Sequence, residues 1–294
     1  APLMFAGLGG VISENAGVVN IGIEGMMTIG AFAGATVGYF TASPWLGFLA
    51  GGLAGGLLAL IHAVACISFR ADQTISGVAI NFLGPGIALF LGRKLFEGST
   101  MTKPVPNLMP TLFGDYATNS SNLLLKTLNV RLTIPIVFIF VFIMWFVLYK
   151  TSFGLRIRSV GENPAAADTL GINVNKVKYL SVFTSGVLSG FGGAAMTLAV
   201  VNCFTQSTIS GQGFIALAAV IFGKWKPQGT MAACLLFGFA QALVVILGGS
   251  TSIIHIPPSI LSMLPYVLTL IILVAFVGNS TAPKADGIPY YKGK

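Results

Sequence analysis

The chain reads as an all-α, polytopic transmembrane helical bundle, and three observations carry that reading. Hydrophobic residues make up 55% of its 294 residues and charged residues only 8%, with a mean hydropathy of +0.87. A soluble domain carries roughly 25% charged residues, so most of this surface faces lipid. Apolar runs of spanning length recur along the chain. They are continuous rather than alternating, which argues against a β-barrel. The formal net charge of +8 reads as basic residues gathered in cytoplasmic loops, not as a nucleic-acid surface.

Taken in order, residues 1–12 are apolar but shorter than the roughly 20 residues a spanning helix needs. They carry no basic leader and no cleavage site, so they do not read as a signal peptide. The expectation is that the natural N-terminus, with one further span, lies ahead of this sequence, giving about 8–10 spans in the intact chain. Candidate spans follow at 26–40, 45–69, 75–92, 132–149, 179–201, 229–247 and 260–278. A second short run at 214–223, like residues 1–12, reads as a re-entrant or broken helix. Such backbone is tolerated at membrane depth only where protein or a water-filled cavity covers it.

Glycine recurs every four residues at Gly30, Gly34 and Gly38, at Gly47, Gly51 and Gly55, and at Gly186 and Gly190. That spacing puts small residues on one helix face, where neighbouring backbones pack closely. The loop holding Lys150, Arg156, Arg158, Lys176 and Lys178 is read as cytoplasmic. Alternation then brings Arg70, Lys224, Lys226 and the C-terminal tail to the same side, which collects eleven of the sixteen basic residues. The other five fall in a long extracytoplasmic loop at about 93–131. The placement requires that residues 214–223 cross or return.

Two polar stretches interrupt the apolar pattern. The first runs from Glu14 to Gly25, with two carboxylates, two asparagines and several glycines between apolar segments. It is either an ordinary loop or a substrate path, since ionisable groups near membrane depth are costly and usually functional. Asn15, Asn20, Glu24 and Gly25 are its candidate path residues. Asn81 and Gln212 join them as polar groups within or beside spans, and Asn202, Gln206 and Gln241 are similar. Ile23 to Ala31 faintly echoes Gly211 to Ala219, each a polar residue and a glycine leading into an apolar run, as in transporters built from repeats.

The second polar stretch runs from Gly154 to Gly171. Asn163 is an N-cap, Pro164 takes the first helical position, Ala165, Ala166 and Ala167 propagate, and Gly171 stops the helix. A cytoplasmic helix of about seven residues follows. One so short is marginal alone, so it rests on the bundle or on a partner.

Other side chains point to no chemistry. Cys66, Cys203 and Cys234 lack a paired spacing and read as small apolar packers. His62 reads as a hydrogen-bonded histidine within a span, and His255 lies in a turn before two prolines, so no metal site is expected. Ser185 and Ser189 have no histidine–acid arrangement, and no catalytic residues are assigned. Nor does the chain carry a phosphate-binding GxxxxGK[ST] loop, so its energy comes from another subunit or an ion gradient.

Three blocks resemble a known family. GGVISENAGVVNIGIEGMMTIGAF at 9–32, RSVGENPAAADTLGINVNKVK at 158–178 and FIALAAVIFGKWKPQGTMAACLLFG at 214–238 resemble ABC-importer permeases of the branched-chain amino acid and ribose type. The nucleoside-permease subgroup is the nearest likeness. The resemblance implies one permease domain over 1–294, in the plasma or inner membrane with a cytoplasmic C-terminus. It implies a second homologous permease, an extracytoplasmic solute-binding protein and an ATP-binding subunit that holds the ATP and Mg. This chain would then bind no cofactor directly. Gly161, Glu162, Asn163, Pro164, Ala165, Ala166, Ala167, Asp168 and Gly171 would couple to that ATPase, within a segment at about 151–178. The implied cargo is a nucleoside, with a ribose-like sugar as the alternative. Apart from the resemblance, the faint repeat and the carboxylates Glu14 and Glu24 leave an ion-coupled secondary transporter as a more distant reading. Phe82, Phe204 and Phe214 are candidate rings for stacking on a base.

Overall fold

The computed structural model describes residues 1–114, 127–247 and 281–292, with isolated positions 263 and 267. The candidate span at 260–278 and His255 lie outside the described residues. Among the described residues ten α-helices follow in order: α1 (Pro2–Asn15), α2 (Ile23–Thr41), α3 (Pro44–Ala63), α4 (Gln73–Leu95), α5 (Thr133–Lys150), α6 (Ser152–Glu162), α7 (Pro164–Thr169), α8 (Val174–Met196), α9 (Gln212–Phe222) and α10 (Pro227–Leu247). Wider π-turns extend α3 over Val64–Ser68 and α8 over Thr197–Val201. The β-bridging among the described residues is one isolated pair, Thr111 with Arg131.

Among the described residues five helices are long and apolar enough to cross a membrane, and each matches a candidate from the sequence: Pro44–Ser68, Gln73–Leu95, Thr133–Lys150, Val174–Val201 and Pro227–Leu247. The chain is a multi-pass membrane protein. α2 is the exception among the described candidates. It has 19 residues but is diluted by glycine and begins with a carboxylate, so it falls outside that apolar set. With α3 and α8 it forms the centre of the bundle, and it also packs against α4.

The glycine faces build that centre. Gly30 packs on Gly190, where an added Cβ would come within 2.5 Å of backbone. Gly51 packs on the carbonyl of Gly30, and Gly55 and Gly186 pack on each other. Side chains at these crossings would drive three helices apart.

The same contacts set directions. Gly30, Gly34 and Gly38 meet Gly190, Ala194 and Leu198 in register, so α2 runs parallel to α8. Gly192 meets Pro2 and Gly9 meets Ser185, so α1 runs antiparallel to both. Extrapolated along this register, the start of α2 lies level with the middle of α8. That is about 14 Å inside the end at which α8 begins, at a rise of about 1.5 Å per residue. The chain therefore descends in α1 to the end that carries α6 and α7, then climbs as non-helical backbone over residues 16–22 before α2 starts. α9 runs parallel to α1, since Gly7 meets Ala216 and Gly10 meets Val220. Its 11 residues rise about 16 Å, roughly half the 30 Å hydrocarbon thickness.

After α4, residues 102–109 fold over the opposite end. The N–H groups of Val105 and Met109 donate to the carbonyls of Asn202 and Leu198 at 2.8 and 2.9 Å. They satisfy carbonyls that the end of a helix leaves without intrahelical partners. Both side chains are buried.

Candidate functional site

The climbing segment, residues 16–22, lies inside the bundle, where every polar backbone group needs a protein partner. Its partners come from helices distant in sequence. Gly17 has φ +74°, and its carbonyl accepts from Lys178 Nζ of α8 at 3.2 Å. The Val19 N–H donates to Gln73 Oε1 of α4 at 2.7 Å. The Val19 carbonyl lies 3.1 Å from His62 Nε2 of α3, while His62 Nδ1 lies 2.9 Å from Ser76 Oγ. A carbonyl can only accept, so Nε2 carries the proton and Nδ1 accepts from the serine hydroxyl in the neutral ring. His62 is thus a hydrogen-bonded histidine, and what it holds is the break in the bundle.

Asn81 closes the upper end of the segment. Its Nδ2 donates to the Ile21 carbonyl at 2.9 Å and its Oδ1 accepts the Gly25 N–H at 2.8 Å. One side-chain amide spans the step from irregular backbone to helix. Gln73, Gly77 and Asn81 recur every four residues, so one face of α4 presents two amides with a glycine between them. The glycine lets Ile21 and Gly22 approach within 3.0 Å of where its Cβ would be. Gly25 needs the same closeness, its missing Cβ standing 2.9 Å from Asn81 Cα.

Glu24 joins the two broken helices. It lies in the first turn of α2, and its carboxylate accepts the N–H groups of Gly211 and Gly213 at 2.6 and 2.7 Å. Those amides open α9, so one anion serves two helix N-termini, where negative charge is favoured. α2 and α9 leave this point in opposite directions. The faint echo of Ile23–Ala31 in Gly211–Ala219 therefore falls on two half-helices that meet at their starts. Asn20, fully buried, donates from Nδ2 to Ser185 Oγ at 2.9 Å, and its Oδ1 has no hydrogen-bond partner.

The structure thus gathers Asn20, Glu24, Gly25 and Asn81. Asn15 is apart from them, at the end carrying α6 and α7, where its Nδ2 donates to the carbonyls of Val11 and Trp225 at 2.8 and 3.0 Å. Glu14 accepts from Trp225 Nε1 beside it. These bonds bring Lys224 and Lys226, the neighbours of Trp225, to the end that holds Lys150 to Lys178, as the charge alternation requires. Gln212 lies in the first turn of α9 and lines a cavity of about 810 Å³ between the start of α1, the end of α8 and α10. Thr205, Ser207, Ser210 and Gln241 also line it, among apolar residues. Of the three rings, Phe82 is 78% exposed on the outer face of α4 and Phe204 is buried against Phe32. Phe214 is half exposed, and none of the three lines this cavity.

At the end of the bundle the short helix forms as its residues dictate. Asn163 Oδ1 accepts the Ala166 N–H at 3.0 Å, Pro164 opens a helix of six residues, and Gly171 turns out of it with φ +79°. Ala165, Ala166, Glu162 and Gly171 are exposed, Ala167 is buried, and Leu170 stands 80% exposed. α6 precedes it and packs across α1 and α8. Its Gly161 fits against Asn15, whose backbone carbon would stand 2.8 Å from an added Cβ. The predicted loop ends sooner than its composition suggests, because Asn173 caps α8 at the Lys176 N–H, 3.0 Å away. Lys176 and Lys178 are therefore helical, and Lys178 is buried.

Sequence reasoning missed His62, Gln73, Ser185, Lys178 and Trp225 as partners of the break. A buried lysine at the head of an apolar helix was the available signal. Nothing local marks the others.

The model of the family described as branched-chain amino acid transport system / permease component matches residues 1–273. The chain is 49% identical over 305 aligned residues to the guanosine ABC transporter permease protein NupQ of Bacillus subtilis, covering 100% of this chain and 94% of that protein. It is 44% identical over 310 residues to the nucleoside ABC transporter permease protein NupC of Lactococcus lactis, with the same coverage. Identity to the putative glucose ABC transporter permease protein TsgC13 of Haloferax volcanii is 38% over 254 residues, covering 82% of this chain and 73% of that protein. No solved structure matches.

Proposed function

Because the chain belongs to the family of branched-chain amino acid transport system permease components, we propose that it is the membrane subunit through which an ATP-driven importer carries nucleosides inward. The observation that carries the solute is the pair of full-length relatives, 49% and 44% identical, named for guanosine and nucleoside transport.

The geometry supports a path past the broken helices. Glu24 and Asn81 hold the starts of α2 and α9 in the bundle. Gln212, one residue into α9, faces a cavity whose hydroxyls and amides suit a ribose and whose apolar walls suit a flat base. In this reading ATP is hydrolysed on a separate subunit that docks over α7, using the exposed Ala165, Ala166, Glu162 and Leu170. That end faces the cytoplasm with the C-terminus, a second homologous permease completes the pathway, and an extracytoplasmic protein delivers the solute. The alternative cargo is a sugar, favoured by the 38% identity to a putative glucose permease.

The test is uptake of radiolabelled guanosine by proteoliposomes holding this chain with its neighbouring transporter subunits. Uptake that requires internal ATP and is suppressed by excess inosine but not by ribose or glucose establishes the reading. Suppression by a sugar alone replaces the solute. Uptake that proceeds without ATP and collapses with an ionophore removes the ATPase from the account.

A further inference from the structure

The described C-terminal segment, residues 281–292, does not trail away from the bundle. It crosses the end that carries α6 and α7. Pro283 to Asp286 form a turn, closed by the Asp286 N–H on the Pro283 carbonyl at 3.0 Å. The turn presents the Ala285 N–H to the Gly161 carbonyl of α6 at 2.8 Å. Ala285 is only 6% exposed. Its carbonyl oxygen packs on Gly17, 3.1 Å from where a Cβ would stand, and Val19 Cγ2 comes within 3.5 Å of the corresponding position at Gly287.

Further along, Tyr290 lies beside Asp168 of α7, and the two line a pocket of about 340 Å³ with Lys292. Tyr291 lies under the Arg70 guanidinium, 4.5 Å from its ring centroid. One short run of chain therefore touches α6, α7 and the climbing segment. Gly17, which the turn covers, is also the residue whose carbonyl Lys178 holds.

We propose that residues 285–290 are a coupling strap, which passes displacement of α7 to the break between α1 and α2. This rests on the proposal that an ATPase moves α7, and it adds the route by which that movement reaches the pathway. α7 itself is six residues long and joined to α6 through Asn163, so it can tilt without unfolding the bundle. The strap ties that tilt to Gly17–Val19, the first residues of the climb towards Glu24. Ala285 and Tyr290 are positioning residues, and neither touches solute.

The test uses the full chain in nanodiscs and the assembled transporter in proteoliposomes. Ala285→Pro removes the donor to Gly161, Ala285→Gly keeps it, and a chain ending at residue 283 removes the strap. Hydrogen exchange is read by mass spectrometry in the first system, and guanosine uptake and ATP hydrolysis in the second. For Ala285→Pro and the shortened chain, exchange should rise about tenfold over both 16–22 and 163–171, with 186–194 unchanged. Uptake should fall about tenfold while hydrolysis stays within about twofold, and Ala285→Gly should restore it. Exchange that rises in the tail alone overturns the strap. So does a parallel loss of uptake and hydrolysis, which would make the segment a structural prop. If the unaltered transporter hydrolyses ATP but moves no nucleoside, the proposed cargo fails, and the exchange comparison still decides the strap.

Discussion

Asn81 and Asn163 both use a side-chain oxygen to hold the N–H that opens a helix, and they sit in regions built on opposite plans. Asn163 serves Ala166, three residues ahead, at an exposed corner. Asn81 serves Gly25, 56 residues behind it, within the bundle. The short helix at 164–169 is closed by its own cap, proline and glycine. The break at 16–25 is closed by α3, α4 and α8, with a lysine reaching from 161 residues away. Water finishes whatever the corner leaves open. At the break nothing but protein is at hand, so its order is the order of the whole bundle.

The largest expected effect comes from cutting the long-range side of this comparison. Asn81→Leu strands the Gly25 N–H and the Ile21 carbonyl together. Each buried orphan costs about 1–3 kcal/mol, a large fraction of a typical folding free energy of about 5–15 kcal/mol. The thermal midpoint of the detergent-purified chain should drop by several degrees, and uptake should be lost. Asn81→Asp keeps the acceptor for Gly25 and should recover part of the stability. An unchanged midpoint in Asn81→Leu would mean that the glycine contacts alone hold α2 in place.

The corner should respond more mildly. Removing an N-cap costs about 1 kcal/mol, and α7 contributes one buried residue, Ala167, to the bundle. Asn163→Ala should leave the thermal midpoint nearly unchanged and lower uptake several-fold, because a six-residue helix without its cap frays. Asn163→Ser should restore uptake. A fall in the midpoint as large as that of Asn81→Leu would erase the distinction between the two regions.

The same contrast explains what could be read from the sequence. Five described spans were legible because lipid demands long apolar runs. The helix after Asn163 was legible almost to the residue because its signals lie within eight positions. The glycine faces were visible as spacing, although which helices they join was not. In and beside the break, the sequence marks Asn20, Glu24 and Asn81 as polar residues in apolar surroundings, with Gly25 next to Glu24, but not who answers them. His62 and Gln73 look like isolated polar residues until the fold brings Val19 between them. α2 shows the limit from the other side. Its apolar run starts at residue 26, while the helix begins at Ile23, because Asn81 and the closeness of α4 at Gly25 support a first turn that hydropathy alone would not include. The structure places Asn15 apart from Asn20 for a related reason. Five residues separate them, but the chain turns between them, so one faces Trp225 and the other Ser185.

The smallest effect belongs to the place where the two regions touch. Burial first, and the Glu14 carboxylate second, push the Asp286 carboxyl up to about 8, against the opposing pull of the Lys178 ammonium. Its Oδ1 has no hydrogen-bond partner. In an unfolded chain an aspartate titrates near 3.9. Between those values the docked tail retains a proton that a released tail gives up, so the docked state binds more protons. Its stability is therefore greatest below about pH 4 and falls as pH rises towards 8. Exchange at 285–288, corrected for its intrinsic pH dependence, should quicken between pH 6 and pH 8 in the unaltered chain. Asp286→Asn cannot ionise and should flatten that rise. It should also slow exchange at pH 8, because the charge that burial disfavours is gone. A rise that survives in Asp286→Asn would assign the pH response to Glu14 or Lys178, the two charged groups that face Asp286 from α1 and α8.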